Sequence, residues 1–249
     1  MGYSEQFTVF AGTLDYWRLM PHTAAISFHP DRSMKVTDFS QYIDTRSVEN
    51  IAKAVASVAI LGEEDVADTV LSFVQNFGYT MNDYTIRYTL YPVETLAQSG
   101  VCDDLSVLYA SMMISLGFKV IFIIYPQVTD LGGSRFTHMN VGVHLSVPPT
   151  HMTGPQYHYF ELDGLDYYVA ETTSVGWQNG DLPQNLAGQS DYLERAYAPT
   201  RSIYPPPLVG SSPSFEKSSY ITRPTIAVES PPLIIQVMNR VNFSVDKSL

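Results

Sequence analysis

The sequence predicts an α+β fold, and three observations predict it. Apolar residues recur at helical spacing in the first half of the chain. A continuous apolar run rich in β-branched residues follows, and after it come alternating segments bounded by turn signals. Helices first and an antiparallel sheet afterwards is the α+β order, not the alternating order of a parallel sheet. At 249 residues, 45% of them hydrophobic, the chain has ample material for a core.

Taken in order, Phe7 to Tyr42 mixes aromatic, Pro and His residues with weak alternation, as in AISFHP, and predicts short strands or an extended wrap. Residues 47–61, SVENIAKAVASVAIL, open with Ser47 and Asn50 in a capping pattern and place Ile51, Val55, Val58 and Ala59 at helical spacing. EEDVADTVLSFVQNFG predicts a second helix, with Val66, Val70, Leu71, Phe73 and Val74 largely on one side and Gly78 as its stop. Residues 79–98 read as a loop-rich approach. A third helix starts at Cys102, carries Leu105, Leu108, Tyr109, Met112 and Leu116 at helical spacing, and closes at Gly117.

FKVIFIIYP then reads as a strand buried on both faces. HMNVGVHLSV (138–147) alternates, and YHYFELDGLDYYVAETT (157–173) predicts a hairpin turning at Asp163-Gly164. Beyond Pro183 the chain becomes Pro-rich. IYPPPLVGSSPS (203–214) fits neither a helix nor a central strand, so residues 201–232 read as a surface wrap or linker. IIQVMNRVNFSV (234–245) is expected to form a last short element. The division that results is a strand-and-helix lead-in over 1–62, a core over 63–200 and a Pro-rich C-terminal wrap over 201–249.

Charge narrows the partners. Fourteen basic against 25 acidic residues give a formal net charge of -11, which repels phosphate backbones and anionic lipid. No apolar run approaches the ~18 residues of a membrane span, so neither nucleic acid nor a membrane is expected as a partner. The opening residues lack the basic region of a signal peptide. The 16% charged content and the many Tyr, Ser and Thr lean toward an extracellular surface, with the compartment otherwise open. Asn242-Phe243-Ser244 is a glycosylation sequon, and a single Cys rules out an intrachain disulfide.

That single thiol is the chemical signal. Cys102 sits at a helix start, where unpaired N–H groups and a partial positive charge favour thiolate. His138 opens a later strand and Glu171 closes the hairpin after it. An imidazole beside the sulfur stabilises the ion pair, a carboxylate beyond it fixes the tautomer, and backbone N–H groups around Cys102 suit an oxyanion. Cys, His and acid in that order form an acyl-transfer set. The competing reading is a buried structural thiol, a satisfied strand histidine and a solvent-facing glutamate. His138 with His144, six residues on, raises a zinc alternative, but the spacing matches no standard ligand pattern. Asp103 and Asp104 resemble catalytic acids, yet carboxylates in a first turn stabilise the helix dipole and oppose a thiolate. Asp104 is expected to cap or tie down the loop. Tyr91, Glu94 and Trp177 are the candidates for lining a substrate cleft, with a structural lead-in as the other role for Tyr91 and Glu94 and packing under the loop as the other role for Trp177. The stretch YPQVTDLGGSRFTH before His138 is expected to form a flap over the site.

The same residues carry a resemblance. YPVETLAQSGVCDDLSVLYASMMISLGF, then THMNVGV, then YYVAETTSVGWQNGDLP resembles the transglutaminase-like superfamily of papain-type folds, in particular its archaeal and bacterial branch. The similar positions are Tyr91 to Leu96, Gly100 to Asp104, His138 to Val143, Tyr167 to Thr173 and Gly176 to Pro183, within about residues 65–185. The resemblance implies a helix with an N-terminal Cys packed on an antiparallel sheet, Cys102 as nucleophile, His138 as base and Glu171 as orienting acid. Relatives often carry Asp where Glu171 stands, and a polar residue or Gly where Val101 stands. The implied chemistry is thiol-dependent acyl transfer on an amide of a peptide or protein: protease- or amidase-like hydrolysis, or transglutaminase-type transfer to an amine. It needs no cofactor and no metal. The alternative from another class is a catalytically silent module of this fold that binds peptide or glycan at a surface.

Overall fold

The computed structural model of the protein describes residues 2–22, 26–28, 34–36, 38–80, 88–129, 133, 135–189, 191–196, 216–217 and 236–244. The chain opens with β1 (Gly2–Phe10) and α1 (Ala11–Arg18), a helix where only strands or a wrap were expected. The short strands β2 (Ile26–Phe28) and β3 (Met34–Val36) pair with each other. In α2 (Thr45–Ala56) the cap is Asp44, not Ser47: the Asp44 side chain accepts from the Ser47 N–H at 3.3 Å, so the helix begins earlier than the capping pattern suggested.

α3 (Gly62–Gln75) buries Val70, Leu71, Phe73 and Val74, and Gly78 beyond its end takes the left-handed conformation at φ 76°. α4 (Pro92–Gln98) is a helix within the stretch 79–98 that reads as a loop-rich approach. Pro92 sits at its first turn, and Glu94 reaches back to accept from the Tyr91 N–H at 3.0 Å. Both signals stood in the sequence, masked by the polar, aromatic residues before them. α5 (Cys102–Ser115) follows at once and is buried at every residue from Cys102 to Met113. Full burial of each of its large apolar side chains contributes about 1.5–3 kcal/mol.

The residues around α5's start explain its position. A Cβ on Gly100 would lie 2.4 Å from Asp104 Cβ, so only glycine allows the chain to enter the helix this way. Asp104 accepts from the Val101 N–H (2.9 Å) and the Leu90 N–H (2.8 Å), while Asp103 accepts from the Thr89 hydroxyl (2.8 Å). The two acids therefore fasten the segment before α4 to the first turn of α5.

The sheet takes up the next part of the chain: β4 (Val120–Thr129), β5 (Arg135–Val143), β6 (Tyr159–Leu162), β7 (Leu165–Ala170) and β8 (Tyr192–Ala196). These five strands are antiparallel in the order β6-β7-β5-β4-β8. β4 is the apolar run and is buried on both faces. Val120, Phe122 and Ile124 face the main core, and Ile121, Ile123 and Tyr125 join a smaller cluster with Val169 and Leu186. The β6–β7 hairpin turns at Asp163 (φ 55°) and Gly164 (φ 71°), the paired positive φ values of a tight two-residue turn.

The segment read as a flap is mostly strand. Beyond a bulge after Tyr125 the β4–β5 ladder resumes at Val128↔Phe136 and Thr129↔Arg135, and residues 130–132 and 134 lie outside the described residues. Of the expected 201–232 wrap, only β9 (Glu216–Lys217) is described. β10 (Gln236–Ser244) pairs along the whole of β1, from Gly2↔Ser244 to Phe10↔Gln236. The architecture is mixed α+β with an antiparallel sheet.

Candidate active site

His138 lies opposite Tyr125 in the β4–β5 ladder, and its ring interacts with groups from two other elements. Nε2 meets Glu171 Oε2 at 2.8 Å, just past the end of β7. Cys102, at the start of α5, also acts on the ring electrostatically. Cys102 itself is 4% exposed, with Sγ 4.0 Å from the Thr137 carbonyl.

The electrostatics favour a charged ring. Burial alone pulls the imidazole's pKa down, but hydrogen bonds to Cys102 and Glu171, together with their charges, overcome it and hold the pKa at about 10. Glu171 shows the opposite balance. Burial pushes its carboxyl up, and the hydrogen bond and charge of His138 with two donors from Thr173 bring it below its ordinary value. Those donors are the Thr173 N–H (2.9 Å) and hydroxyl (2.6 Å), both to Oε1. Tyr125, across from His138, has a buried hydroxyl with no hydrogen-bond partner among the described residues. Burial, then Asp191 and Glu171, push its pKa up, so the phenol stays neutral.

A cleft of about 510 Å³ opens beside the pair, and His138, Glu171 and Thr173 line it. Tyr79, Phe136 and Trp177 supply aromatic surface there, and Leu186 and Pro183 add apolar wall. The Trp177 side of the wall is fixed from α3. Gln75, 2% exposed, donates to the carbonyls of Glu171 (2.8 Å) and Trp177 (3.0 Å) and accepts from the Gly176 N–H (3.3 Å). Asp68 extends the same clasp by accepting from the Asn179 N–H (2.9 Å) and side-chain amide (2.6 Å).

Trp177 thus lines the cleft, whereas Tyr91 and Glu94 do not. Each is 2% exposed, and both belong to the packing of α4. Glu94 caps the helix and meets His22 Nε2 at 2.8 Å, while Tyr91 packs against Trp17 and Tyr42. His144 is separated from His138 by six residues of extended chain, about 20 Å, and its Nδ1 meets the Asp166 carbonyl at 2.9 Å. Glu64, Asp68 and His151 bring potential ligand atoms within 4.8 Å of one another away from the cleft. Their bonds to Thr150, His151 and Asn179 tie the 150–151 and 179 segments to α3.

No protein-family model and no curated protein matches this chain. Among solved structures, a chain from Cytophaga hutchinsonii described as a "putative cysteine protease" matches at 10% identity and a TM-score of 0.38, over 81% of this chain. This chain spans 61% of that chain's length.

Gln75, Phe136, Asn140 and Thr173 escaped sequence reasoning. Asn140 and Thr173 stand inside the HMNVGV and AETT segments, two residues from His138 and Glu171, and that spacing was the available signal. Nothing local marks Gln75, whose role depends on a contact 96 residues away.

Proposed function

We propose that the protein is a thiol-dependent acyl transferase acting on amide bonds, with Cys102, His138 and Glu171 as its working residues. The observation that carries the reading is the 2.8 Å bond between His138 Nε2 and Glu171 at the edge of a cleft, with Cys102 among the groups that raise the imidazole's pKa. The transglutaminase-like motifs around the same three residues support it. In this reading the Cys102 thiolate attacks the amide carbonyl carbon and a C–S bond forms. Backbone N–H groups at the start of α5 hold the developing oxyanion. His138 passes its proton to the leaving amine as the C–N bond breaks, giving a thioester. Water, activated by the now neutral ring, releases the acid and restores the thiolate; an amine acceptor in place of water gives transfer. Hydrolysis is the preferred outcome, since no feature marks an amine subsite. The cleft's aromatic lining, with no Lys or Arg among its lining residues, suits a peptide or protein segment with apolar side chains.

A second reading has its own observation. Cys102 is 4% exposed and does not line the cleft, which suits a silent module that binds peptide or glycan on the Tyr79, Phe136 and Trp177 surface. The pH dependence of iodoacetamide alkylation decides between them. Rapid modification persisting well below pH 7, and lost in His138→Ala, establishes the ion pair. A rate that rises only near the ordinary thiol pKa of about 8.5 and ignores the substitution overturns the catalytic reading.

A further inference from the structure

The Glu171 carboxylate is 2% exposed, and such a group must find its donors within the protein. An ionised carboxylate offers about four acceptor positions. Thr173 fills two, through the donors to Oε1 already described, and His138 Nε2 fills one at Oε2. The fourth contact belongs to Asn140, fully buried on β5 two residues from His138. With its amide nitrogen turned inward, Asn140 donates to Glu171 Oε2 at 3.0 Å and to the Met139 carbonyl at 3.1 Å. The opposite orientation would set oxygen against oxygen at both places, and would gain only an acceptor for the His138 Nε2–H. The Asn140 nitrogen also lies 2.8 Å from His138 Nε2. Glu171 can only accept, so Nε2 must carry the proton of the 2.8 Å bond, and the Asn140 N–H goes to the carboxylate.

We propose that Asn140 and Thr173 are positioning residues that hold Glu171 ionised, with Oε2 aimed at His138, so that the ring keeps its second nitrogen toward Cys102. This rests on the thiol reading above for its consequence, though not for its geometry. It also suits a glutamate, whose side chain is one methylene longer than an aspartate's. The extra methylene adds a rotatable bond, and donors on both oxygens remove the freedom it brings. The titratable groups facing the ring are Cys102 from α5, Glu171 beyond β7 and Tyr125 from β4.

The test is an NMR titration of ¹⁵N-labelled imidazoles, with the His138 signal assigned by its loss in His138→Gln. Thr173→Val, which loses the hydroxyl donor but keeps the backbone N–H, and Asn140→Leu, which loses the amide donor, are each expected to lower the His138 midpoint by roughly one pH unit. Thr173→Ser, which restores a hydroxyl, is expected to return it to the wild-type value. A purely structural role for Thr173 would be filled as well by Val as by Ser. Midpoints in Thr173→Val that match wild type overturn the proposal, and this arm stands even where Asn140→Leu does not fold, because Thr173 is only half-buried. Repeating the titration in a Cys102→Ala background keeps a failure of this proposal distinct from a failure of the thiol reading. The Thr173 shift persists there whether or not Cys102 is a nucleophile, whereas the alkylation profile alone reports on the thiol.

Discussion

Two histidine–carboxylate pairs in this molecule share one geometry and differ in everything around it. His138 Nε2 meets Glu171 Oε2 at 2.8 Å, and His22 Nε2 meets Glu94 Oε2 at 2.8 Å. Both carboxylates are 2% exposed, and the two rings are 12% and 11% exposed. Glu94 Oε2 also accepts from the Tyr91 N–H, and the His22 ring lies against Tyr88 and Tyr91, with centroids 4.5 and 5.3 Å away. That pair fastens α4. The His138 ring lines a cleft, and Cys102 is among the groups that raise its pKa. The cleft and the thiol are what distinguish the two pairs, and the proposed function rests on that difference.

The comparison breaks most sharply at the sulfur. Cys102→Ala should abolish iodoacetamide incorporation, read by intact mass, with the circular dichroism spectrum kept. Next come the histidines. His138→Ala should slow Cys102 alkylation at pH 6 by about 10²–10³-fold, while His22→Ala leaves it nearly unchanged. Equal slowing by both would erase the distinction. For the acids, Glu94→Gln should lower stability to urea by about 1–3 kcal/mol and spare the thiol's reactivity. Glu171→Gln should lower stability as well and, unlike Glu94→Gln, slow alkylation by about tenfold.

pH sharpens the contrast further. The His138 imidazole is held at about 10, against an ordinary value of 6.5, so from about pH 6.5 to 10 the folded state binds more proton at this group than the unfolded chain does. Its contribution to stability is fully present below about pH 6.5 and is lost as pH rises through 10. The urea-midpoint gap between wild type and His138→Gln should therefore shrink steadily across that window. A gap that widens with pH would reverse the sign of the assigned shift.

Local chemistry was legible in the sequence; distant pairing was not. The Asp163-Gly164 turn needs only two residues of positive φ, and β4 only a run of β-branched side chains, so both could be read directly. α4 carried Pro92 and Glu94 but was hidden behind a stretch without apolar periodicity. β8 completes the sheet at an edge, and β10 pairs with β1 across more than 220 residues, neither of which any local signal announces. At the site, residue types and order pointed to Cys102, His138 and Glu171. The misplacement of Tyr91 and Glu94 came from their closeness to Cys102 in the chain: proximity along the sequence is not proximity to the cleft, and α4 turns their side chains into the core.

The helix bearing Cys102 has no wet face from Cys102 to Met113. Mobile ions cannot surround its first turn, so the field of the terminal N–H groups reaches the sulfur through protein rather than through electrolyte. Surface electrostatics fade as the Debye length shortens from about 30 Å at 0.01 M to about 3 Å at 1 M salt, but this interaction should not. Alkylation by the uncharged iodoacetamide should accordingly run at nearly the same rate across that range of ionic strength, a constancy that a thiol activated by surface charge would not show.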